Sequence, residues 1–167
     1  MQSPSYRAAL AMMYGCGLRI SEVVKVQVGD VDKERRVIRV VGKGDKERLV
    51  PLPEPLYQDL RTMWVIHRHP QWLFANKRGT NHVDVGTLRR AFRLACNEVG
   101  IPKEITPHSL RHSFGTRLME KGVPIESISI LMGHATIQTT MVYLHMTEAL
   151  RTQINETAAS FSIPLFG

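Results

Sequence analysis

Several side chains suited to phosphate chemistry lie within residues 106–145 of this chain. His108 and Arg111 are three residues apart in a segment that the pattern predicts to be helical, so they share one face. Thr106 and Pro107 stand where a capping residue and a first-turn proline are favoured. Because the N-terminus of a helix attracts anions, this face is a candidate phosphate site.

A nucleophile follows in the same stretch. A short helix is predicted over residues 125–132, ending at Gly133, and His134 comes directly after it. Tyr143 stands nine positions beyond His134, and its phenol can attack a phosphodiester and form a covalent phosphotyrosine. An unperturbed phenol has a pKa of about 10. The tyrosine therefore needs neighbouring cations or a base at neutral pH.

Arg19 is a second candidate phosphate ligand. A helix is predicted over residues 5–14, and glycines at 15 and 17 place Arg19 in the turn that follows. A guanidinium in such a turn can clamp two phosphate oxygens with its planar fork. The alternative is a surface arginine paired with Glu22 or Asp30.

Lys43 is predicted to lie at the tip of a β-hairpin. Residues 36–41 alternate and are β-branched, residues 42–45 have turn chemistry, and residues 47–52 return as a second strand. Such a lysine is either simply solvated or a mobile general acid carried into a groove.

The remaining segments are predicted to form the body that positions these groups. Ser21 should cap a helix over 22–26, and Trp64 and Trp72 are expected in the core. Arginines on the outward face of the 84–99 helix either meet phosphates or solvate that face. We expect helices at 53–68, 84–99 and 148–159, a short strand at 71–75 and a polar loop at 76–82.

Composition favours a nucleic-acid-binding protein. The chain has 167 residues, enough for one domain, with a net charge of +7 and 43% apolar residues. We expect a soluble, cytoplasmic protein in which Cys16 and Cys96 are reduced core residues.

The sequence does not favour a helical zinc site. His108 and His112 have the i, i+4 spacing of zinc ligands, but Ser109 stands where such motifs carry glutamate, and no third ligand presents itself. We therefore expect no metal ion and no cofactor, and we expect His112 to support the helix from beneath.

Five motifs together resemble the tyrosine recombinase (phage integrase) family, with Xer-type and integron-type members nearest. Their order and spacing make the resemblance specific. The motifs are Gly17-Leu-Arg19-Ile-Ser-Glu22, the run Gly42-Lys43 to Pro51, His108-Ser-Leu-Arg111-His112, Leu131-Met-Gly-His134, and Tyr143.

The resemblance implies a mainly helical α+β catalytic domain with a small antiparallel sheet, acting as a site-specific DNA recombinase or integrase. It implies strand cleavage and rejoining through a 3′-phosphotyrosine, without metal or ATP, and it assigns the mobile acid to Lys43 rather than Lys46. A DNA-binding remnant that does not cut and a type IB topoisomerase-like enzyme are the alternatives. The implied catalytic residues are Arg19, Lys43, His108, Arg111, His134 and Tyr143.

The expected partners are double-stranded DNA in the nucleoid and further copies of this chain, as a tetramer on synapsed sites. Residues 1–167 are expected to be a single catalytic domain, without the N-terminal core-binding domain of such recombinases. The apolar tail, about 155–167, is expected to pack on its own domain or on a neighbouring subunit. The expected DNA contacts are Lys46, Arg48, Lys77, Arg78, Arg89 and Arg90.

Overall fold

The computed structural model describes residues 3–133 and 148–160. Two predicted catalytic residues, His134 and Tyr143, lie outside the described residues, as does the tail from residue 161 onward. The described chain is a mainly helical α+β fold, as predicted. Its helices are α1 (Pro4–Cys16), α2 (Ile20–Val23), α3 (Glu54–His67), α4 (Val85–Glu98), α5 (Pro107–Glu120), α6 (Ile125–Leu131) and α7 (Glu148–Ala159). Its strands are β1 (Val31–Asp32), β2 (Val37–Val41) and β3 (Glu47–Pro51).

The three strands form an antiparallel sheet in the order β1-β2-β3. The predicted hairpin is confirmed, since β2 and β3 pair from Val37 opposite Pro51 to Val41 opposite Glu47. The strand predicted at 71–75 is wrong. Residues 71–82 make only the isolated bridges of Trp72 with Gln27 and of Ala75 with His82. The third strand of the sheet is β1, which is too short to show a period in the sequence.

Helix α1 lies at the centre of the fold and packs against α5 and α3. It runs two residues beyond the predicted end, so Gly15 lies inside the helix rather than ending it. A Cβ at Gly15 would lie 3.3 Å from the Leu56 side chain, so the glycine allows α1 and α3 to pack closely. The helix ends at Gly17, whose φ of 69° places it in the left-handed region. A side chain there would overlap the ring of Phe114 on α5. This close approach brings the turn after α1 against α5.

A second buried cluster fixes the ends of α5 and α6. Phe114 and Leu118 of α5 pack with Ile128 and Leu131 of α6 and with Ile154 of α7. The start of α5 follows the prediction, with Thr106 as the N-cap residue and Pro107 in the first turn. The Thr106 N–H donates to Ser109 Oγ at 3.2 Å. The cluster therefore holds the C-terminal end of α6 beside α5.

Other core assignments agree with the sequence. Trp64 is half-buried against the core, and its indole N–H donates to the His69 carbonyl at 3.0 Å. Cys16 and Cys96 are both buried and free, as expected. No helix in the described part of the chain is long and apolar enough to cross a membrane.

Candidate active site

Arg111 is the buried centre of the site. Its side chain belongs to the middle of α5 and the residue is only 1% exposed. Nη1 donates to the Gly17 carbonyl at 2.5 Å, and Nη2 donates to the Met132 carbonyl. Arg111 thus joins the turn after α1 to the end of α6. Burial lowers its pKa to about 10, with the positive charges of Arg19 and Arg48 adding to the effect, so it remains protonated at neutral pH.

Arg19 lies beside a buried carboxylate. It is the residue before α2, and its backbone N–H donates to Glu22 Oε2 at 2.8 Å. Its Nη1 donates to Glu22 Oε1 at 3.0 Å. The side chain of Arg19 stays 35% exposed while that of Glu22 is 4% exposed. The pairing with Glu22 that the sequence offered as an alternative is therefore present, and it fixes the direction of a half-exposed guanidinium.

The predicted cap of this short helix is wrong. Ser21 is exposed inside α2, which runs from residue 20 to 23 rather than from 22 to 26. Glu22 takes the capping role by reaching back to the Arg19 N–H, because a carboxylate three residues into a helix satisfies an orphan donor.

Arg48 occupies the other side of Glu22. Its Nη1 and Nη2 donate to the two Glu22 oxygens at 2.8 and 2.9 Å, a bidentate pair. Its Nε donates to the Leu131 carbonyl at 2.7 Å. Arg48 is 3% exposed, so it is not the solvent-facing cation expected among the DNA contacts. We therefore do not retain it in that set.

Burial alone raises the pKa of Glu22, but the hydrogen bonds and charges of Arg48 and Arg19 outweigh that effect and leave the pKa below its ordinary value. The carboxylate is accordingly charged at neutral pH. With three arginines around it, the formal charges of Arg19, Arg48, Arg111 and Glu22 sum to +2. The described part of the site is therefore electrostatically suited to an anion.

Two glycines approach the Arg48 guanidinium. A Cβ at Gly133, where φ is +70°, would lie 2.9 Å from Arg48 Nη1 and 3.3 Å from Arg19 Nη1. A Cβ at Gly42 would lie 3.5 Å from Glu22 Oε1 and 3.9 Å from Arg48 Nη1. Gly42 immediately precedes Lys43 and Gly133 immediately precedes His134. Both segments that lead to predicted catalytic residues thus begin at this ion cluster.

Lys43 lies in the hairpin turn, as predicted. It opens a 3-10 turn over Lys43–Asp45, and the Gly42 N–H donates to the Lys46 carbonyl at 2.8 Å, which closes the turn. Gly44 and Asp45 have φ values of +73° and +56°. Lys43 and Lys46 are both exposed, so either ammonium is accessible from solvent.

His108 is exposed in the first turn of α5, where helix N–H groups without an intrahelical partner are suited to bind an anion. The expectation for His112 is wrong, because this residue is exposed rather than packed beneath the helix. The two imidazole rings lie 6.0 Å apart between centroids. Within residues 3–133 and 148–160, no group of three or more His, Cys, Asp or Glu side chains is placed to hold a metal ion.

Three predicted DNA contacts line one open cavity of about 720 Å³ between the 76–83 loop and α4. Lys77 and Arg78 come from the loop, and Arg90 comes from the first half of the helix. Arg89 is exposed on α4 next to Arg90 but does not line this cavity.

Arg93 has a structural contact. Its Nη2 donates to the carbonyls of Lys103 and Ile105 at 2.7 and 2.9 Å. It therefore attaches the connection between α4 and α5 to α4, just ahead of the helix that carries His108 and Arg111. The sequence left two roles open for the arginines of α4, contact with phosphates or solvation of the face, and Arg93 takes neither, since it holds the connection.

Residues 1–149 match the model of the phage integrase family. The chain belongs to that family. Among curated members it is 39% identical over 150 residues to the tyrosine recombinase XerD of Listeria innocua, covering 85% of this chain and 50% of the relative. It is 37% identical over 147 residues to XerD of Lacticaseibacillus casei, covering 84% of this chain and 50% of the relative. This phage integrase family chain thus spans about half the length of the curated relatives it matches.

Solved members of the phage integrase family share the fold. The XerH site-specific recombinase bound to its difH substrate superposes with a TM-score of 0.71 at 27% identity, covering 92% of this chain and 47% of that one. The XerA recombinase gives the same TM-score of 0.71 and 27% identity, covering 92% of this chain and 56% of that one. The catalytic-domain fold implied by the five motifs is confirmed.

The burial of Arg48, which the sequence did not predict, has a signal in the strand pattern. Side chains alternate along β3, so Arg48 shares its face with Val50, which is fully buried. An arginine on the buried face of a strand must find a carboxylate or carbonyls, and Glu22 supplies the carboxylate. The structure brings Arg19 and Arg111 together around Gly133 and places Lys43 one residue from the same cluster. It leaves His108 on the exposed first turn of α5.

Proposed function

We propose that this chain is the catalytic part of a site-specific DNA recombinase that cleaves and rejoins strands through Tyr143. The observation that carries the proposal is the pair of Arg19 and Arg111 at the turn before His134, inside a cluster whose formal charge is +2. Two guanidinium groups so placed match the non-bridging oxygens of one phosphodiester.

In the proposed reaction the Tyr143 oxygen attacks phosphorus and the bond to the 5′ oxygen breaks. His108 accepts the phenolic proton, and Lys43 protonates the departing 5′ oxygen. Arg19 and Arg111 stabilise the charge on the non-bridging oxygens, and His134 donates a hydrogen bond to the same phosphate. The 3′-phosphotyrosyl ester retains the energy of the phosphodiester. A second 5′-OH can therefore rejoin the strand without ATP.

Double-stranded DNA is the proposed partner. The relative XerH has been solved bound to its difH substrate. Lys77, Arg78 and Arg90 around one open cavity support contacts to the phosphate backbone, and exposed Lys46 and Arg89 are proposed to add to them. We further propose a single catalytic domain acting in the cytoplasm, in association with the nucleoid. Assembly as a tetramer on synapsed DNA, with the tail at about 155–167 on a neighbouring subunit, completes the proposal.

The test offers the protein nicked duplexes from DNA flanking its own gene, so that a short strand leaves and the covalent complex accumulates. We expect a protein–DNA adduct that resists SDS and is absent with Tyr143→Phe. The matched control is Tyr57→Phe, because Arg36 stacks 4.0 Å from the centroid of that ring and phenylalanine keeps the ring. An adduct that persists in Tyr143→Phe would reject the nucleophile. A complete lack of adducts, even with the N-terminal core-binding domain of a related recombinase fused to the chain, would reject the activity.

A further inference from the structure

We infer that Arg48 is a positioning residue for strand cleavage, because its buried guanidinium holds Glu22 beside Arg19 and contacts the segments leading to both Lys43 and His134. The inference rests on the proposed function. It assigns Arg48 a role in ordering the phosphate site, in place of the DNA contact expected from its charge.

The Arg48 guanidinium uses its whole planar fork. All three nitrogens of the Arg48 guanidinium donate at 2.7–2.9 Å, two of them to Glu22 and one to the Leu131 carbonyl. The residue is 3% exposed, so these bonds form in a region that excludes water. A planar, rigid group in this setting fixes the carboxylate in one orientation.

Glu22 lies between two arginines. Its Oε1 accepts from both Arg48 Nη1 at 2.8 Å and Arg19 Nη1 at 3.0 Å. Arg48 therefore shares the negative charge of Glu22 and leaves part of the Arg19 charge for a phosphate. Without Arg48, the carboxylate would be neutralised by Arg19 alone, and Arg19 would stabilise a phosphorane less well.

Gly133 and Gly42 lie close to the Arg48 guanidinium. The Cβ positions of Gly133 and Gly42 lie 2.9 and 3.9 Å from Arg48 Nη1, so both turns pack against the same guanidinium. The carbonyl of Leu131, two residues before Gly133, accepts from Arg48 Nε. Loss of Arg48 thus removes a common support for the hairpin that carries Lys43 and for the turn before His134.

The test compares two scissile linkages under single-turnover conditions with saturating protein, so that the rate reports the chemical step. One duplex carries the natural phosphodiester. The other carries a methylphosphonate, in which a methyl group replaces one non-bridging oxygen and removes the charge that Arg19 would neutralise. The variants are Arg48→Met and Arg48→Lys. The control is Arg39→Met, on the neighbouring strand, where Arg39 is 46% exposed and pairs with Asp30 and Glu47.

We expect Arg48→Met to slow adduct formation about 10- to 100-fold on the phosphodiester and at least about threefold less on the methylphosphonate, where only the support for the turns before Lys43 and His134 is lost. Arg48→Lys keeps the charge but lacks the fork, so the same order is expected with a smaller loss. Arg39→Met should change both rates by less than about twofold. Equal slowing on both linkages, or no slowing on either, overturns the inference.

A double-mutant cycle with Arg19→Lys supplies a second measurement on the phosphodiester. It tests the inference even if no variant cuts the methylphosphonate. If Arg48 acts through Arg19, its substitution adds little to the loss already caused by Arg19→Lys. Fully additive losses overturn the inference. A wild-type protein that forms no adduct rejects the proposed function and this inference together. A wild-type adduct with equal or additive losses rejects the inference alone.

Discussion

At the scale of single residues, the site is organised by a buried arginine whose charged side chain donates hydrogen bonds to backbone carbonyls. Arg111 donates to the carbonyls of Gly17 and Met132, at the C-terminal ends of α1 and α6. Carbonyls at helix ends lack intrahelical donors, so a guanidinium there both satisfies them and complements the helix dipoles. The same residue therefore joins the ends of two helices, and in the proposed function its charge also stabilises a phosphate.

We expect Arg111→Lys to lower the free energy of unfolding by about 1–3 kcal/mol, because an ammonium cannot reach both carbonyls and leaves one buried acceptor unsatisfied. Urea denaturation measures the change. Arg89→Lys, on the exposed face of α4, is the control and should change stability by less than about 0.5 kcal/mol. Equal effects for the two substitutions would show that the Arg111 fork does not hold the helix ends.

The depressed pKa of Glu22 predicts acid sensitivity. A carboxyl with a lower pKa in the folded state stabilises the fold fully above its ordinary pKa near 4.5 and loses that contribution as the pH falls through its folded pKa. We expect the free energy of unfolding, measured from pH 7 to pH 3, to decline less steeply in Glu22→Gln than in the wild type. Glu120→Gln, at the exposed end of α5, should keep the wild-type slope. A Glu22→Gln profile parallel to that of the wild type contradicts the ion pair.

At the scale of elements, the turns carry the site and the helices support them. Gly17 ends α1 against Phe114, and Gly133 follows α6 against Arg48. Both glycines have positive φ values, of 69° and 70°. The main chain can approach the arginines and α5 this closely only because neither residue carries a side chain.

The two glycines at 133 and 100 separate backbone strain from steric overlap. Gly100 has a φ of +73° with nothing within 4 Å of the position that a Cβ would take, so Gly100→Ala should cost about 1 kcal/mol. Gly133→Ala adds a contact of 2.9 Å to Arg48 Nη1, and we expect it to cost about 1–3 kcal/mol more. Denaturant titrations of both variants provide the comparison. Equal costs would mean that the Arg48 side chain moves away from the added methyl group with no loss of stability.

The sequence predicted most elements because their signals are local. Thr106 and Pro107 marked the start of α5, and the β-branched run at 36–41 marked β2. The strand predicted at 71–75 failed because its partners, Gln27 and His82, each supply only one bridge. Local composition cannot show whether an apolar run finds a strand to pair with.

The site was predictable to the extent that its chemistry follows from residue type. Arg19 and Arg111 were identified from their motifs, and the structure brings them together around Gly133. The burial of Arg48 was not identified, because it depends on Glu22, which is 26 residues away in the chain. Charge alone predicted solvent and phosphate for Arg48, whereas the β3 alternation indicated an inward direction.

At the scale of the whole molecule, two groups of positively charged side chains stand out in the described part of the chain. One is the buried cluster around Glu22, and the other is the open cavity between the 76–83 loop and α4. In the proposed function the first contacts one phosphate, while the second contacts the backbone without reading bases. We therefore expect the cavity to set general affinity for DNA.

Lys77→Ala and Arg90→Ala should each weaken binding to an arbitrary duplex by a similar factor whatever its sequence. Each should reduce the slope of log K against log salt by about 1, since one phosphate contact is lost. Fluorescence anisotropy over a series of KCl concentrations measures both quantities. Arg61→Ala, an exposed arginine on α3, is the control and should keep the wild-type slope. Unchanged slopes in the cavity variants would place the DNA elsewhere.

The reactivity of the Cys16 thiol at the end of α1 reports on how often this part of the fold opens. Burial raises the pKa of the Cys16 thiol to about 12, which suppresses the reactive thiolate at neutral pH, and the next residue is the Gly17 that accepts from Arg111. In a Cys96→Ala background, we expect a thiol-specific reagent to label Cys16 only when the core around the end of α1 opens. Arg111→Lys should accelerate that labelling, as followed by intact-protein mass spectrometry. An unaltered labelling rate would show that the thiol opens independently of the arginine. The rate at which the Gly17–Arg111 contact opens can thus be measured in the absence of DNA.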